Sequence, residues 1–307
     1  MATSVSQSSG PREGGLALGV GFTLLVSLCL ALIGTFAKSL SPSLSPVLIV
    51  FFQYALSLLF LLPWLLRGGV ADLRTRRIGL LIMWSIFGLG SQLLLFVALS
   101  AIPLVEAVLL ANSSPLFIPL VVLAWERTPI GRALWASLAI GFAGVVLILQ
   151  PGQGTFSWAI PVALGAGACS AVGLVTISRL ESTEPARRML FWYFLLSAVL
   201  VSPGLALHWS TPAGGSWVTL VGVGLAMALA QIFTIRAYAA APPEQLAPFN
   251  YSVVVFSALI GWVIFHEVPN WLTGLGIVLV TLGGVLSTYH RRAAPAPVLA
   301  QPVRSAT

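Results

Sequence analysis

The chain has 307 residues, of which 58% are hydrophobic and only 7% are charged, and its formal net charge is +7. Soluble domains carry about 25% charged residues, so this composition excludes a soluble globular protein and indicates an integral membrane protein. The basic excess does not indicate nucleic-acid binding, because the arginines lie in short gaps between apolar runs, as the positive-inside rule predicts.

A membrane-spanning helix requires about 20 mostly apolar residues. Ten runs are long enough, and in chain order we predict spans at 16–37, 46–66, 78–100, 103–124, 131–149, 157–178, 189–208, 216–235, 246–265 and 271–289. The third and fourth runs are separated only by the break at Ala101-Ile102-Pro103. The terminal segments 1–15 and 290–307 are rich in Ser, Pro and Ala, and we predict that both are cytoplasmic tails.

The arginines determine the predicted orientation. When the loops alternate between the two sides and the N-terminus is cytoplasmic, all 14 arginines (15 basic residues less Lys38) fall on the cytoplasmic side. Only Lys38 lies near the outer side. Merging the third and fourth runs would destroy this pattern. We therefore expect ten helices with both termini in the cytoplasm, and the preference for arginine over lysine indicates a bacterial inner membrane.

Sequence features recur along the half-length of the chain. The matching pairs, 139 to 141 residues apart, are Cys29 and Cys169, Phe51 and Phe191, Pro63 and Pro203, Gln92 and Gln231, Pro103 and Pro242, and Glu126 and Glu267. They predict two five-helix repeats at 16–149 and 157–289. Because five is odd, the second repeat inserts upside down relative to the first, an arrangement that recurs among secondary transporters.

Each repeat closes with a Glu-containing turn and a glycine-rich helix, "SSPLFIPLVVLAWERTPIGRALWASLAIGFAGVVLIL" in the first and "FSALIGWVIFHEVPNWLTGLGIVLVTLGGVL" in the second. Over about 16–289 the chain resembles EamA-type transporters of the drug/metabolite transporter superfamily. Members typically have glycine before that glutamate, where this chain has Trp125 and His266. Many have an arginine early in the second helix, where this chain has Gln53.

The repeat and the resemblance predict a secondary transporter that moves small polar or amphipathic, amino-acid-like metabolites by alternating access, with export as the expected direction. The alternative is a nontransporting membrane scaffold or lipid-interacting subunit. We do not expect an enzyme, a metal site or a cofactor, because no catalytic set, ligand cluster or phosphate loop is present. An ion channel is disfavoured because no charged ring lines the spans.

Uncharged polar residues in the spans are the substrate-binding candidates. Gln92 and Gln231 occupy equivalent places in the third and eighth spans, and an amide suits a polar or zwitterionic solute; the alternative is a role in helix–helix hydrogen bonding. Trp84 shares a face of the third span with Gln92. The full set of candidates is Gln53, Trp84, Gln92, Asn112, Gln231, Asn250 and Tyr251.

Prolines accompany two of these candidates. Pro115 and Pro119 share a face of the fourth span with Asn112, and Pro248 interrupts the ninth span beside Asn250. Paired interrupted helices are a sequence pointer to a transport site, although proline is also ordinary in membrane helices. The aromatic residues near these polar groups could stack on a planar or aliphatic solute, and they are Tyr54, Trp84, Trp192, Tyr193 and Tyr251. Of these, Trp192 and Tyr193 are instead expected at a membrane interface.

Three further groups have alternative roles. Glu106, about a turn inside the fourth span, is a candidate for proton coupling, or else reaches the headgroups or caps its helix. Glu126 and Glu267 are each expected to cap the helix that follows. The glycines of the fifth and tenth spans, Gly141, Gly144, Gly283 and Gly284, are expected either to form a homodimer contact or to pack within the monomer.

Overall fold

The structure, a computed structural model, describes residues 13–69, 73–126, 131–149, 157–180, 183–241, 246–268 and 270–293. Within these ranges the chain is all-helical. The α-helices are α1 (Glu13–Leu40), α2 (Pro46–Leu65), α3 (Ile78–Leu99), α4 (Leu104–Ala111), α5 (Ser114–Glu126), α6 (Arg132–Leu149), α7 (Ala159–Leu180), α8 (Ala186–His208), α9 (Gly214–Ala240), α10 (Ser252–Phe265) and α11 (Trp271–Ala293). Short 3-10 helices occupy Leu66–Gly68 and Ala247–Tyr251.

In the described part of the chain, seven helical segments are long and apolar enough to cross a membrane, and three shorter apolar helices accompany them. The shorter ones, Arg132–Ile148, Phe249–Phe265 and Trp271–Ser287, fall on the predicted fifth, ninth and tenth spans. Together with the composition, these helices make the chain an all-α integral membrane protein.

The fourth predicted span is not one continuous helix. It divides into α4 and α5 at Asn112-Ser113. The cause is Pro115, which has no N–H to donate to the Ala111 carbonyl and whose ring crowds that group. The ninth span likewise begins as a 3-10 turn around Pro248 before α10 starts. The interruptions indicated by the prolines are therefore present in both halves, whereas Pro242 lies outside the described residues.

Helices of the two halves pack together in reciprocal pairs. α1 packs on α9 and α3 on α7, while α2 packs on α8, α4 on α10 and α6 on α11. The α2 and α8 helices run antiparallel. At one end the Ser45 hydroxyl donates to the His208 carbonyl (3.0 Å), and at the other the Arg187 guanidinium lies 6.0 Å from the Trp64 ring centre.

The glycine-rich helices α6 and α11 pack against each other within the monomer. A Cβ added at Gly144 would lie 2.7 Å from the Gly276 carbonyl oxygen, and one at Gly283 would lie 2.5 Å from the Cα of Gly141. Backbones this close require glycine on both sides. The sequence left open whether these glycines serve a dimer or the monomer, and here they are used inside one chain.

The arginine-rich end of the bundle joins the two halves through Glu184. This carboxylate, in the turn before α8, accepts from the Thr75 hydroxyl (2.7 Å) and forms an ion pair with Arg188 (2.6 Å). Nearby, the Trp192 indole N–H donates to the Leu73 carbonyl (2.8 Å). Burial acts to raise the pKa of Glu184, but the hydrogen bonds from Thr75 and Arg188 outweigh it and lower that pKa below its ordinary value.

Glu184→Gln is expected to lower the melting temperature of the detergent-solubilised protein by a few degrees at neutral pH. A carboxyl whose folded pKa is depressed contributes stability above its unfolded pKa and loses it as the pH falls through the folded pKa. The difference in melting temperature between wild type and variant should therefore disappear as the pH is lowered. Thr183→Ala is the matched control, because among the described residues the Thr183 hydroxyl bonds only the Leu180 carbonyl at the end of α7. A gap that stays constant with pH would contradict the charge-based explanation.

Candidate functional site

A cavity of about 310 Å³ lies in the centre of the bundle, between α1, α3, α4, α7, α8, α9 and the start of α10. Its volume is at the lower end of the roughly 300–1,000 Å³ typical of small-molecule sites. The polar and aromatic side chains that line it are Trp84, Ser91, Gln92, Asn112, Ser170, Tyr193 and Gln231. No Asp, Glu, Lys, Arg or His is among the described residues that line it. The described lining therefore combines uncharged polar groups with apolar side chains.

The two repeat-equivalent glutamines enter this cavity from different helices. Gln92 projects from α3 and Gln231 from α9, and each is half-buried. Trp84, Gly88 and Ser91 share one face of α3 with Gln92, and all four line the cavity. The helical spacing that placed these residues on one face is thus matched by their position in the structure.

One wall of the cavity is aromatic. Trp84 and Tyr193 stack with ring centroids 4.3 Å apart and an interplanar angle of 16°. The Tyr193 hydroxyl is 3.0 Å from that of Tyr54, which fixes the outer edge of the ring. Space for Tyr193 depends on Gly88, because a Cβ there would lie 2.7 Å from the ring. The wall is consequently assembled from α2, α3 and α8 and has little freedom to move.

The expected interface position of Tyr193 is wrong. Only 7% of the residue is exposed, and it lies in the core beside the cavity. Its sequence neighbours on α8 do not distinguish a lipid-facing from an inward-facing tyrosine. The deciding feature is the gap left by Gly88 on α3, which is far away in sequence.

Asn112 lines the cavity at the break between α4 and α5. Its amide donates to the Val108 carbonyl (2.7 Å) and covers the end of α4. The neighbouring Ser113 hydroxyl donates to the Leu110 carbonyl (2.5 Å). Gly167 of α7 permits this close packing, since a Cβ there would lie 2.7 Å from the Leu110 oxygen. Interrupted backbone at membrane depth is tolerated where it packs against protein or lines a cavity, and this break does both.

Three substrate-binding candidates lie away from the cavity lining. Gln53 is fully buried on α2, and neither atom of its amide has a partner among the described residues. Asn250 is exposed in the 3-10 turn. Tyr251 is half-buried, and its hydroxyl packs against Gly284 of α11. Four of the seven candidates, Trp84, Gln92, Asn112 and Gln231, therefore share one site.

Charged groups meet at the end of the bundle opposite the arginine-rich loops. The Lys38 ammonium pairs with Glu267 (2.5 Å) and also donates to the Ile102 carbonyl (2.7 Å). The second Glu267 oxygen accepts from the Leu104 N–H (2.7 Å) and so caps α4. Glu106 lies in the first turn of α4 and is half-buried.

The expectation that Glu267 caps the following helix is wrong, because it caps α4 instead. The start of α11 is capped by Asn270, whose side-chain oxygen accepts from the Thr273 N–H (2.8 Å). His266 has a φ of 55°, in the left-handed region, and this turn directs Glu267 back towards α4. Left-handed backbone also explains why glycine suits the position before the glutamate. The side chain of Glu126 is outside the described part of the structure.

A model of the EamA-like transporter family matches residues 17–150 and again residues 157–289. The chain belongs to this family. The two matches together cover nearly all of the chain, in agreement with the resemblance noted from the Glu-containing turns and the glycine-rich helices. This EamA-like protein is a membrane transporter and not an enzyme.

Curated relatives of this EamA-like chain carry different solutes. A riboflavin transporter of Vibrio cholerae is 30% identical, covering 89% of this chain and 91% of that protein. The pseudopaline exporter CntI of Pseudomonas aeruginosa is 30% identical over 86% and 93%. An S-adenosylmethionine uptake transporter of Rickettsia felis is 26% identical over 90% and 94%. A protein of known crystal structure shares the fold, with a TM-score of 0.61 at 22% identity over 92% of this chain and the whole of that one.

The sequence analysis placed one part of this EamA-like transporter's site at the membrane interface and missed another. Tyr193 forms half of the aromatic wall, and Ser170 of α7 adds a hydroxyl to the cavity. Ser170 adjoins Cys169, the repeat partner of Cys29, but neighbouring helix residues point about 100° apart, so this match does not indicate which face Ser170 occupies.

Proposed function

We propose that the chain is a secondary transporter that binds an uncharged polar or amphipathic metabolite in the central cavity and moves it by alternating access. The observation that carries this proposal is the pair Gln92 and Gln231, which face one uncharged cavity from equivalent places in the two repeats. Glutamine amides donate and accept hydrogen bonds without charge. Such groups bind a neutral solute without leaving a buried charge unpaired, which would cost free energy.

The lining of the cavity suits a planar solute. Trp84, stacked on Tyr193, contributes an aromatic ring to the lining, and Gln92, Gln231 and Asn112 contribute amides. Riboflavin, the solute named for the Vibrio cholerae relative, is an uncharged planar heterocycle with hydrogen-bonding edges. We therefore propose a riboflavin-like neutral heterocycle in place of the amino-acid-like solute expected from the sequence, because a zwitterion would find no counter-ion on the lining.

Ten spans arranged as two inverted repeats are part of the same proposal. The antiparallel packing of α2 on α8 and of α6 on α11 supports inversion, because these are equivalent helices in the two halves. The location of the arginines supports cytoplasmic termini in a bacterial inner membrane. Export remains the direction we propose, and the pseudopaline exporter supports it, whereas the S-adenosylmethionine relative is an uptake protein.

Purified protein in liposomes is expected to exchange internal unlabelled riboflavin for external radiolabelled riboflavin. Excess unlabelled riboflavin should compete, whereas riboflavin 5′-phosphate should not, because the described lining holds no cation to pair with the phosphate. Protein-free liposomes are the control. Whole cells that overproduce the protein should show less riboflavin inside and more outside, which tests the direction.

Absence of exchange for riboflavin and for a wider panel of neutral heterocycles, with folded protein in the membrane, would contradict the proposal. Competition by the phosphate as strong as that by riboflavin would contradict the uncharged site. The scaffold alternative is less well supported, because a scaffold does not require a polar cavity in its core.

A further inference from the structure

The strongest feature outside the cavity is the Lys38–Glu267 ion pair. It connects the two halves of the chain, since Lys38, Ile102 and Leu104 belong to the first half and Glu267 to the second. Both side chains are largely shielded, with 15% and 20% of their surfaces exposed. We propose that this pair is a latch that closes the transport pathway at the Lys38 end of the bundle and breaks each time the cavity opens there. The inference rests on the proposed alternating-access function.

The position of the pair fits such a latch. Ile33 and Val108 line the cavity, and they lie five residues before Lys38 on α1 and four residues after Leu104 on α4. At 1.5 Å per residue, about one helical turn separates the cavity from the pair. All three of α1, α4 and α10 contribute to the cavity lining, and Lys38 and Glu267 hold together α1, the start of α4 and the turn after α10.

The bonding of the pair favours two discrete states. Both carboxylate oxygens of Glu267 are engaged, one by Lys38 and one by the Leu104 N–H. The Lys38 ammonium additionally lies 5.4 Å from the Phe265 ring centre. Partial separation would leave two largely shielded charges without their partner, so the pair is either closed or open to water. The break at Asn112 gives α4 a place to hinge independently of α5.

The repeat supplies a counterpart at the opposite end. Arg179 lies 141 residues after Lys38 and ends α7 as Lys38 ends α1. Its guanidinium lies 4.2 Å from the ring centre of Trp125, near the end of α5. Trp125 directly precedes Glu126, which in turn is 141 residues before Glu267. Lys38 ends the first helix of the first repeat and lies over Phe265 of the second. Arg179 ends the first helix of the second repeat and lies over Trp125 of the first. Each ring is within two residues of the corresponding glutamate. We infer that Arg179 has the same latch role at the arginine-rich end.

The test is the accessibility of the cavity to an impermeant maleimide, measured with no solute present. Cys29 and Cys169 are replaced by alanine, and Leu95→Cys on the cavity wall is the reporter. Right-side-out and inside-out vesicles are compared. In a separate protein, Ser43→Cys in the exposed turn between α1 and α2 establishes which membrane side the Lys38 end faces.

Lys38→Met and Glu267→Gln are each expected to speed labelling of the reporter about tenfold from that side only, because each leaves an unpaired charge that favours the open state. The double variant should be no faster than the faster single variant, because both changes break one interaction. Lys38→Arg, which keeps the pair, should label at the wild-type rate. So should Ser39→Ala, because within the described ranges the Ser39 hydroxyl bonds only the Phe36 carbonyl.

Wild-type labelling rates in folded Lys38→Met and Glu267→Gln proteins would overturn the latch. Glu267→Gln retains an acceptor for the Leu104 N–H, so it tests the ion pair even if Lys38→Met folds poorly. Arg179→Met should raise labelling from the opposite side only, and faster labelling from both sides would overturn its assignment. If the wild-type protein exchanges no riboflavin but Lys38→Met and Glu267→Gln still label faster, the latch is supported and the proposed solute is rejected.

Discussion

Gln92→Ala protein in liposomes is expected to exchange riboflavin at least about tenfold more slowly than wild type. The glutamine occupies the cavity wall on α3, and its loss would leave a polar edge of the solute without a partner. An unsatisfied buried polar group costs about 1–3 kcal/mol, and a factor of ten in rate corresponds to about 1.4 kcal/mol. Gln231→Ala should have an effect of similar size, because it stands at the equivalent place on α9.

Several measurements distinguish the loss of the Gln92 contact with the solute from misfolding of the Gln92→Ala protein. Ser202→Ala is the matched control, because in the part of the chain that the structure describes this exposed hydroxyl bonds only the Val199 carbonyl of α8 and lies outside the cavity lining. It should exchange riboflavin at the wild-type rate. Tryptophan fluorescence quenching by riboflavin should weaken in Gln92→Ala while the melting temperature stays near that of wild type. Equal exchange by Gln92→Ala and wild type would place the solute elsewhere.

Gly88→Ala is expected to abolish most of the exchange through a steric effect on the aromatic wall. The new methyl group would lie 2.7 Å from the Tyr193 ring, which is itself confined by the stack on Trp84 and the contact with Tyr54. The ring must shift, and the solute loses the face on which we propose it stacks. Overpacking of this kind costs about 1–3 kcal/mol, so a lower melting temperature should accompany the loss.

Gly79→Ala is the control for this prediction. It is the same substitution on the same helix, with nothing within 4 Å of the added Cβ, and it should leave exchange unchanged and stability slightly higher. Adding Tyr193→Leu to Gly88→Ala should restore the melting temperature, because the smaller side chain relieves the overlap, but should not restore exchange. Full exchange by the double variant would exclude the stacking role of Tyr193.

Much of the architecture is predictable from the sequence because a membrane imposes simple rules. Each span must be an apolar helix of sufficient length, and the arginines mark one side. Single residues carried further information: Pro115 indicated the break between α4 and α5, and the match between Gln92 and Gln231 indicated two polar groups in equivalent places. These signals are local or periodic, so they can be read without knowing which helices touch.

The sequence by itself determined the membrane class, the helices, the two copies of the family domain and the polar residues available for a site. Only the tertiary structure decided which of them meet. It brought Trp84, Gln92, Asn112 and Gln231 to one cavity and left Gln53 buried on α2 without a partner. It also turned Glu267 from its own neighbouring helix towards Lys38 and Leu104. The physical reason is that such contacts depend on close approach between distant segments, which glycines such as Gly88 permit and which no local pattern records.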